Sequence, residues 1–194
     1  RETQTARGYL TIKTMIKNLI KKEIARQKKT LSLIPSENYA SKAVMTAVGS
    51  PLMNKYAEGY PHKRYYNGNG IVDQVEDEVK SLALKAFKLN PKNWAANVQP
   101  HSGSPANLAA YIGILQMGDK IMAMSLAEGG HLTHGSPVSL TSKLFKFQHY
   151  GVGQDGYLDF DEIQKIADEF KPNLIVCGFT AYTRKVEFKK FRQV

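Results

Sequence analysis

The sequence predicts an α/β layered protein with a mostly parallel sheet, preceded by a basic helical arm. Strand-like and helix-like segments alternate between about residues 95 and 179, the pattern of a parallel sheet covered by helices. Asn173–Phe179 is a continuous apolar run of the kind a strand buried on both faces requires. Residues 1–30 hold nine Lys/Arg against two Glu, and Ile12, Met15, Ile16, Leu19 and Ile20 recur on one helical face.

The first segment reads as a docking helix, with Lys13, Lys17, Lys21, Lys22 and Arg26 on its solvated side. Alternative readings are a basic arm for RNA or an anionic membrane, or a mitochondrial presequence. Leu31–Ile34 is extended, and Pro35-Ser36-Glu37-Asn38 is a turn. Ser41–Val48 is a short helix stopped by Gly49 and Pro51. Residues 54–70 show neither helical nor strand period. Residues 71–88 form a helix with Ile71, Val75, Val79, Leu82, Ala83 and Ala86 on its apolar face, closed by Pro91. Ala95–Gln99 reads as a strand. Ser104-Pro105 opens a helix to about Gln116, with Pro at the first helical position. After a turn at Gly118-Asp119 come strands at Lys120–Met124 and Lys143–Phe147. Asp159-x-x-Glu162 starts a helix carrying Ile163, Ile166, Ala167 and Phe170. A last helix begins near Phe188 and is cut by the end at Val194, which points to truncation.

At 194 residues the chain can bury one core. The net charge of +10 would suit nucleic acid, but much of the excess lies in the first helix, and no nucleic-acid partner is expected. The single cysteine, Cys177, excludes an internal disulfide and reads as a buried, inert thiol. No stretch approaches the roughly 20 apolar residues of a membrane span, so no membrane partner is expected. The default setting is cytoplasmic, with the mitochondrial matrix as the alternative.

Three places carry candidate chemistry. Ser102-Gly-Ser-Pro-Ala-Asn107 follows a strand and opens a helix, where unpaired N–H groups and two hydroxyls make a phosphate cradle. The same residues also serve simply as a helix cap, and the motif alone does not separate the two. Gly129-Gly-His-Leu-Thr-His-Gly135 follows a strand at the edge where ligands of α/β proteins collect. Its two histidines lack the Cys, Asp or Glu that would complete a metal site. His131 reads either as satisfied structure or as a ring stacked on a planar cofactor. Four of the ten tyrosines fall within residues 56–66, beside Glu58 and Arg64. Such a loop reads as a binding surface or an oligomer interface.

Five blocks together resemble serine hydroxymethyltransferases, in that family's order and near its spacing. They are Leu33-Ile-Pro-Ser-Glu-Asn38, Asn54-Lys-Tyr-Ala-Glu-Gly-Tyr-Pro61, Lys63-Arg-Tyr-Tyr66, Asn97–Asn107 and Gly129–Gly135. The resemblance implies the large domain of a fold-type I transferase dependent on pyridoxal 5'-phosphate. It divides the chain into an N-terminal arm, residues 1–53, and the N-terminal part of the cofactor-binding domain, residues 54–194. The implied reaction moves the hydroxymethyl group of serine reversibly to tetrahydrofolate, leaving glycine.

By the same resemblance, Ser102, Gly103 and Ser104 would hold the cofactor phosphate. His131 would stack on the pyridine ring, Asn107 would lie close by, and Thr180 would bond the phenolic oxygen in place of the family's usual Ser. Ser36 would touch the amino-acid substrate. Leu126, Gly130 and Leu132 would line the folate site. The family shares its active sites across a homodimer, in some members assembled into tetramers. Tyr56 would reach the neighbour's cofactor phosphate, Glu58 would handle protons near the substrate hydroxyl and folate, Tyr65 would lie against folate, and Tyr66 near the substrate carboxylate. Asn67 stands where the family commonly has Gly. The family's pyridine-pairing Asp, Schiff-base Lys and substrate-clamping Arg would fall beyond Val194, so the chain alone is expected to be inactive. A competing reading is a non-catalytic truncated paralogue that binds a full-length enzyme.

Overall fold

A computed structural model describes the backbone of residues 2–194 and the side chains of Ile12 and of Thr14 onward. The side chain of Lys13 lies outside the described residues. The chain divides into one compact unit up to Tyr39 and a second, Ala40–Val194. The first is helix α1 (Glu2–Lys29) and the turn after it, closed where Glu37 N–H donates to Ile34 O at 3.1 Å. The predicted apolar stripe of α1 is exposed from Ile12 to Ile24.

The second unit opens with α2 (Lys42–Val48), whose first turn is capped by Ser41 Oγ accepting from Val44 N–H at 3.2 Å. Pro51 does not end structure here but opens a single 3-10 turn, Pro51–Asn54. Residues 54–70, which show no period, contain a two-residue hairpin, β1 (Gly59–Tyr60) paired with β2 (Lys63–Arg64). Its turn requires positive φ at His62 and Gly59, and a Cβ on Gly59 would strike Lys63 O.

Helix α3 (Gly70–Ala86) forms as expected but faces the other way. Ile71 and Leu82, on the supposed core stripe, are 65% and 52% exposed, whereas Asp73 is buried. Arg64 is the cause. Its Nε donates to Asp73 Oδ1 at 2.8 Å and one terminal nitrogen to Glu76 Oε2 at 2.7 Å. The other terminal nitrogen donates to Ala57 O and Gly59 O, both at 2.7 Å. A guanidinium offers a rigid fork of donors, and this one is matched by two carboxylates and two carbonyls. The side chain is only 4% exposed, yet the cluster is shallow: a lid of hairpin rather than a deep core covers it.

Ala95–Gln99 has no regular secondary structure and joins no ladder, contrary to the strand expected there. The Gln99 N–H instead takes Asn97 Oδ1 at 3.0 Å, a local side-chain bond that competes with strand pairing. Helix α4 runs Gly103–Ile114 with Ser102 at its cap. Pro105 is therefore its third residue, not its first, a position whose N–H also lacks an intrahelical acceptor.

Three parallel strands follow, in the order β4-β3-β5. β3 is Lys120–Met124, as expected. β4 is Lys146–Tyr150, later than the strand expected at Lys143–Phe147; Lys143 and Leu144 instead belong to a short helix, α5 (Thr141–Leu144). The ladder pairs Lys120 with Lys146 and Met124 with Tyr150. β5 is only Leu174–Ile175, pairing with Ile121 and Met122, although Asn173 and Val176 add backbone bonds to Lys120 O and Met122 O at 2.8 Å. Beyond them the predicted strand to Phe179 leaves the ladder and turns toward the loop after β3. Helices α6 (Phe160–Phe170) and α7 (Phe188–Gln193) cover one face. Met122 and Met124 point there, against Tyr150, Ile163, Ala167 and Phe191. Ile121 points the other way, against Tyr111 of α4 and Phe145. Each such side chain stabilises by roughly 1.5–3 kcal/mol when fully buried.

The Arg64 hydrogen bond, aided by the His62 N–H and opposed by burial, holds the Asp73 carboxyl below the usual carboxylate range. A depressed folded value adds stability above the unfolded value of roughly 4 and loses it as pH falls through the folded one. Nuclear Overhauser contacts between Gly59 and Arg64 should therefore persist at neutral pH and fade on acidification below about pH 4. In Asp73→Asn they should already be weak at neutral pH. A variant with the parent profile would show that this cluster does not hold the hairpin.

Candidate functional site

Of the predicted residues, Leu126, Gly130, His131, Leu132 and Thr180 lie in the loops that follow β3 and β5. Ser125 N–H donates to Tyr150 O at 3.0 Å, and Gly130 N–H folds back onto Ser125 O at 2.8 Å. The chain passes so close to the strand end that a Cβ on Gly130 would overlap Met124 O, and only glycine fits. From the β5 side, Thr180 and Ala181 N–H both donate to Gly129 O, at 2.8 and 3.1 Å. The two loops are thus one structure, with Thr180 beside Gly129. Leu126 and Leu132 each open a 3-10 turn of this loop and are exposed.

His131 sits at the centre. Its Nδ1 lies 2.8 Å from Thr133 Oγ1 and also accepts from Thr133 N–H at 3.2 Å. Asn107, from α4, donates through Nδ2 to the same Thr133 Oγ1 at 2.8 Å. Thr133 thereby ties α4 to the loop, a role its place two residues after His131 could have suggested but that depends on Asn107 arriving from α4. His131 N–H donates to His134 Nδ1 at 3.1 Å, so the two histidines cap one turn reciprocally. His134 is buried. Burial, and then the neighbouring His131 and His149, push its imidazole down to about 4, so it is neutral at pH 7. The Tyr111 hydroxyl faces Thr133 without reaching hydrogen-bond geometry, and burial pushes its phenol up.

One turn before Asn107 lies the start of α4. Ser102 occupies the cap position in extended conformation, and its side chain makes no capping bond. The N–H groups of Gly103 and Ser104 have no intrahelical acceptor. Two hydroxyls, two free N–H groups and the positive end of a three-turn helix suit a phosphate group. The phosphate of pyridoxal phosphate fits this donor set; Asn107 of the same helix connects to His131 through two hydrogen bonds at Thr133 Oγ1.

Tyr56 and Glu58 are placed elsewhere. They line an open groove of about 580 Å³ together with Arg64, Glu76, Gln99 and His101. Gln99 Nε2 donates to Gly59 O at 2.9 Å and Glu76 Oε1 at 3.0 Å, joining the hairpin to the stretch that leads into Ser102. Tyr66 packs edge-on against Tyr56 with ring centroids 6.0 Å apart. Tyr65 N–H donates to Glu58 O at 3.2 Å, while its ring is 80% exposed. Ser36 lies in the first unit, exposed in its turn. Burial pushes the half-buried Cys177 thiol up to about 11, in keeping with an inert thiol.

No helix among the described residues is long and apolar enough to cross a membrane. Among those residues, no group of three or more His, Cys, Asp and Glu is arranged to hold a metal.

The neutral His134 makes stability depend on pH. Its folded value near 4 lies below the ordinary imidazole value, so the unfolded chain takes up the proton first. Stability should fall as pH drops from about 6.5 toward 4, by on the order of 2–3 kcal/mol. Urea unfolding between those pH values should show this slope, and His134→Gln should flatten it. An unchanged slope in the variant would place the titration on another group.

A family model described as serine hydroxymethyltransferase matches residues 11–194. A serine hydroxymethyltransferase of Prochlorococcus marinus is 54% identical over 181 residues, covering 93% of this chain and 42% of that protein. One of Helicobacter pylori is 53% identical over 175 residues, 90% of this chain and 41% of that protein. One of Methanosarcina barkeri is 54% identical over 176 residues, with 90% and 42% covered. The chain therefore spans about two-fifths of the length of the curated relatives it matches. With a match over nearly all of its length, and a parallel sheet covered by helices, this chain belongs to the serine hydroxymethyltransferase family, of the fold-type I class.

Proposed function

We propose that the chain works as the N-terminal part of a pyridoxal-phosphate enzyme that reversibly transfers the hydroxymethyl group of serine to tetrahydrofolate. The products are glycine and methylenetetrahydrofolate. One observation supports this above the rest: the Ser102 cradle, Asn107, His131 and Thr180 are linked through Thr133 and Gly129 at one edge of the sheet.

When bound, pyridoxal phosphate supplies an electron sink for breaking the bond to the hydroxymethyl carbon. The chain's own residues bind and orient. Ser102, Gly103 and Ser104 hold the phosphate by hydroxyl and N–H donors. His131 offers a flat face to the ring, and the Thr180 hydroxyl reaches its phenolic oxygen. Ser36 and Tyr66 contact the amino acid, Tyr66 at its carboxylate. Leu126, Gly130 and Leu132 border the folate. Glu58 carries the proton at the substrate hydroxyl and near folate, and Tyr65 lies against folate.

Those last roles require a second copy. Tyr56 and Tyr65 are 71% and 80% exposed, and the apolar face of α3 is exposed beside them in sequence, which supports a homodimer with shared sites. In it Tyr56 reaches the partner's cofactor phosphate. Residues 1–53 act as an arm and 54–194 as part of the cofactor domain. The setting proposed is cytoplasmic, with no nucleic-acid partner.

The isolated chain should bind pyridoxal phosphate without a covalent bond and turn over no serine. Lys120 and Lys146 start β3 and β4, at the end of the sheet opposite the cradle. Lys120 is also engaged, donating to Phe170 O at 2.9 Å. Absorbance titration should give saturable binding that Ser102→Ala and His131→Ala each weaken by roughly fivefold or more, the size of one lost hydrogen bond or ring contact. Borohydride reduction should label no single lysine stoichiometrically. Binding indifferent to both substitutions would defeat this assignment; turnover above that of free cofactor would show that the chain suffices alone.

A further inference from the structure

Thr133 joins the two halves of the site, and the proposed function gives it no task. It is 3% exposed, so its hydroxyl must find partners inside the protein. The Asn107 amide nitrogen can only donate, so Thr133 Oγ1 accepts at that 2.8 Å contact and keeps its own proton for another acceptor. His131 Nδ1, also 2.8 Å away, is that acceptor. A second contact gives the same direction independently. The backbone N–H of Thr133 points at the same Nδ1 from 3.2 Å, and an N–H can only donate. Nδ1 is thus the unprotonated nitrogen, and the imidazole proton sits on Nε2.

We infer that Thr133 is a positioning residue that holds His131 as the Nε2–H tautomer, in a single ring orientation, before any cofactor arrives. The order runs from Asn107 to Thr133 to His131, so helix α4 sets both the phosphate cradle and the ring that faces the cofactor. Two bonds on one nitrogen fix the ring about its long axis. A planar ligand then meets a face already oriented, and stacking costs little further side-chain freedom. Only the identity of what the ring meets rests on the proposed function; the tautomer does not.

The test uses the whole chain, labelled with ¹⁵N at histidine, without cofactor. Long-range ¹H–¹⁵N spectra at about pH 8.5, some two units above the ordinary imidazole value, report each neutral tautomer. The parent should show His131 with protonated Nε2 and bare Nδ1. Thr133→Val should average or broaden the two ring nitrogens, and Thr133→Ser should restore the parent pattern, which a merely space-filling role would not require. Asn107→Asp replaces the donor by an acceptor, turns the Thr133 proton toward residue 107, and should move His131 toward the Nδ1–H form. It also decides the matter if the valine variant does not fold. Pyridoxal phosphate should bind Thr133→Val at least about fivefold more weakly, the equivalent of one hydrogen bond. An unchanged Nε2–H pattern in folded Thr133→Val, or in Asn107→Asp where valine is not tolerated, overturns the inference. If the parent shows the expected tautomer yet binds no pyridoxal phosphate, the proposed function fails and the positioning role stands.

Discussion

Strand β3 is paired on both edges and covered on both faces, with Ile121, Met122, Ala123 and Met124 fully buried. Where the chain that follows is still buried, as at Gly129 and Gly130, its backbone groups must find partners in protein. The Ser125 N–H takes Tyr150 O, the Gly130 N–H takes Ser125 O, and Gly129 O receives both Thr180 and Ala181. The loops of the candidate site are consequences of this requirement. Residues far apart in sequence meet because the chains leaving β3 and β5 satisfy each other.

The same requirement accounts for the histidine pair. The 3-10 turn Leu132–His134 begins with unpaired N–H groups, and Thr133 and His134 within it are buried. His131 and His134 accept those N–H groups through Nδ1, which requires both rings to be bare at that nitrogen. Burial keeps His134 neutral, so it can serve as an acceptor at pH 7. A group that would titrate on the surface becomes a fixed structural acceptor here.

The hairpin of residues 59–64 obeys a different constraint. It has two pairs of residues in its ladder, too few to persist unaided in water. Arg64 supplies what the ladder lacks, gripping Ala57 O and Gly59 O on its own segment and Asp73 and Glu76 on α3. The consequence reaches further than the loop. With its acidic side drawn to Arg64, α3 turns its apolar stripe outward, and Tyr56, Tyr65 and Tyr66 stay exposed beside Glu58. Gln99 carries the coupling on toward the phosphate cradle through Gly59 O and Glu76. Surface that is apolar, aromatic and rigidly backed is what a subunit contact in the proposed dimer would use.

Local signals were sufficient for much of this. Helix periods at 71–88 and 160–170, the Asp159 cap, the Gly118 turn and the apolar run Ile121–Met124 of β3 are written in a few neighbouring residues each, because caps, turns and amphipathic faces are short-range effects. The helix start at Ser102 and the glycine-rich loop Gly129–Gly135 were legible for the same reason, and five blocks in order were enough to indicate the family. What the sequence could not settle depends on partners distant along the chain. Whether Ala95–Gln99 or Lys143–Phe147 joins a ladder depends on which backbone lies alongside, and strand pattern alone cannot supply a neighbour. The outward turn of α3 depends on an arginine in the hairpin before it. The hub at Thr133 exists only once α4 docks beside the loop after β3, since Asn107 is 26 positions away in sequence. The residues themselves determined which groups could donate, accept or stack; the tertiary structure alone decided which of them meet, because hydrogen bonds and ion pairs act over a few ångströms of space and are blind to sequence distance.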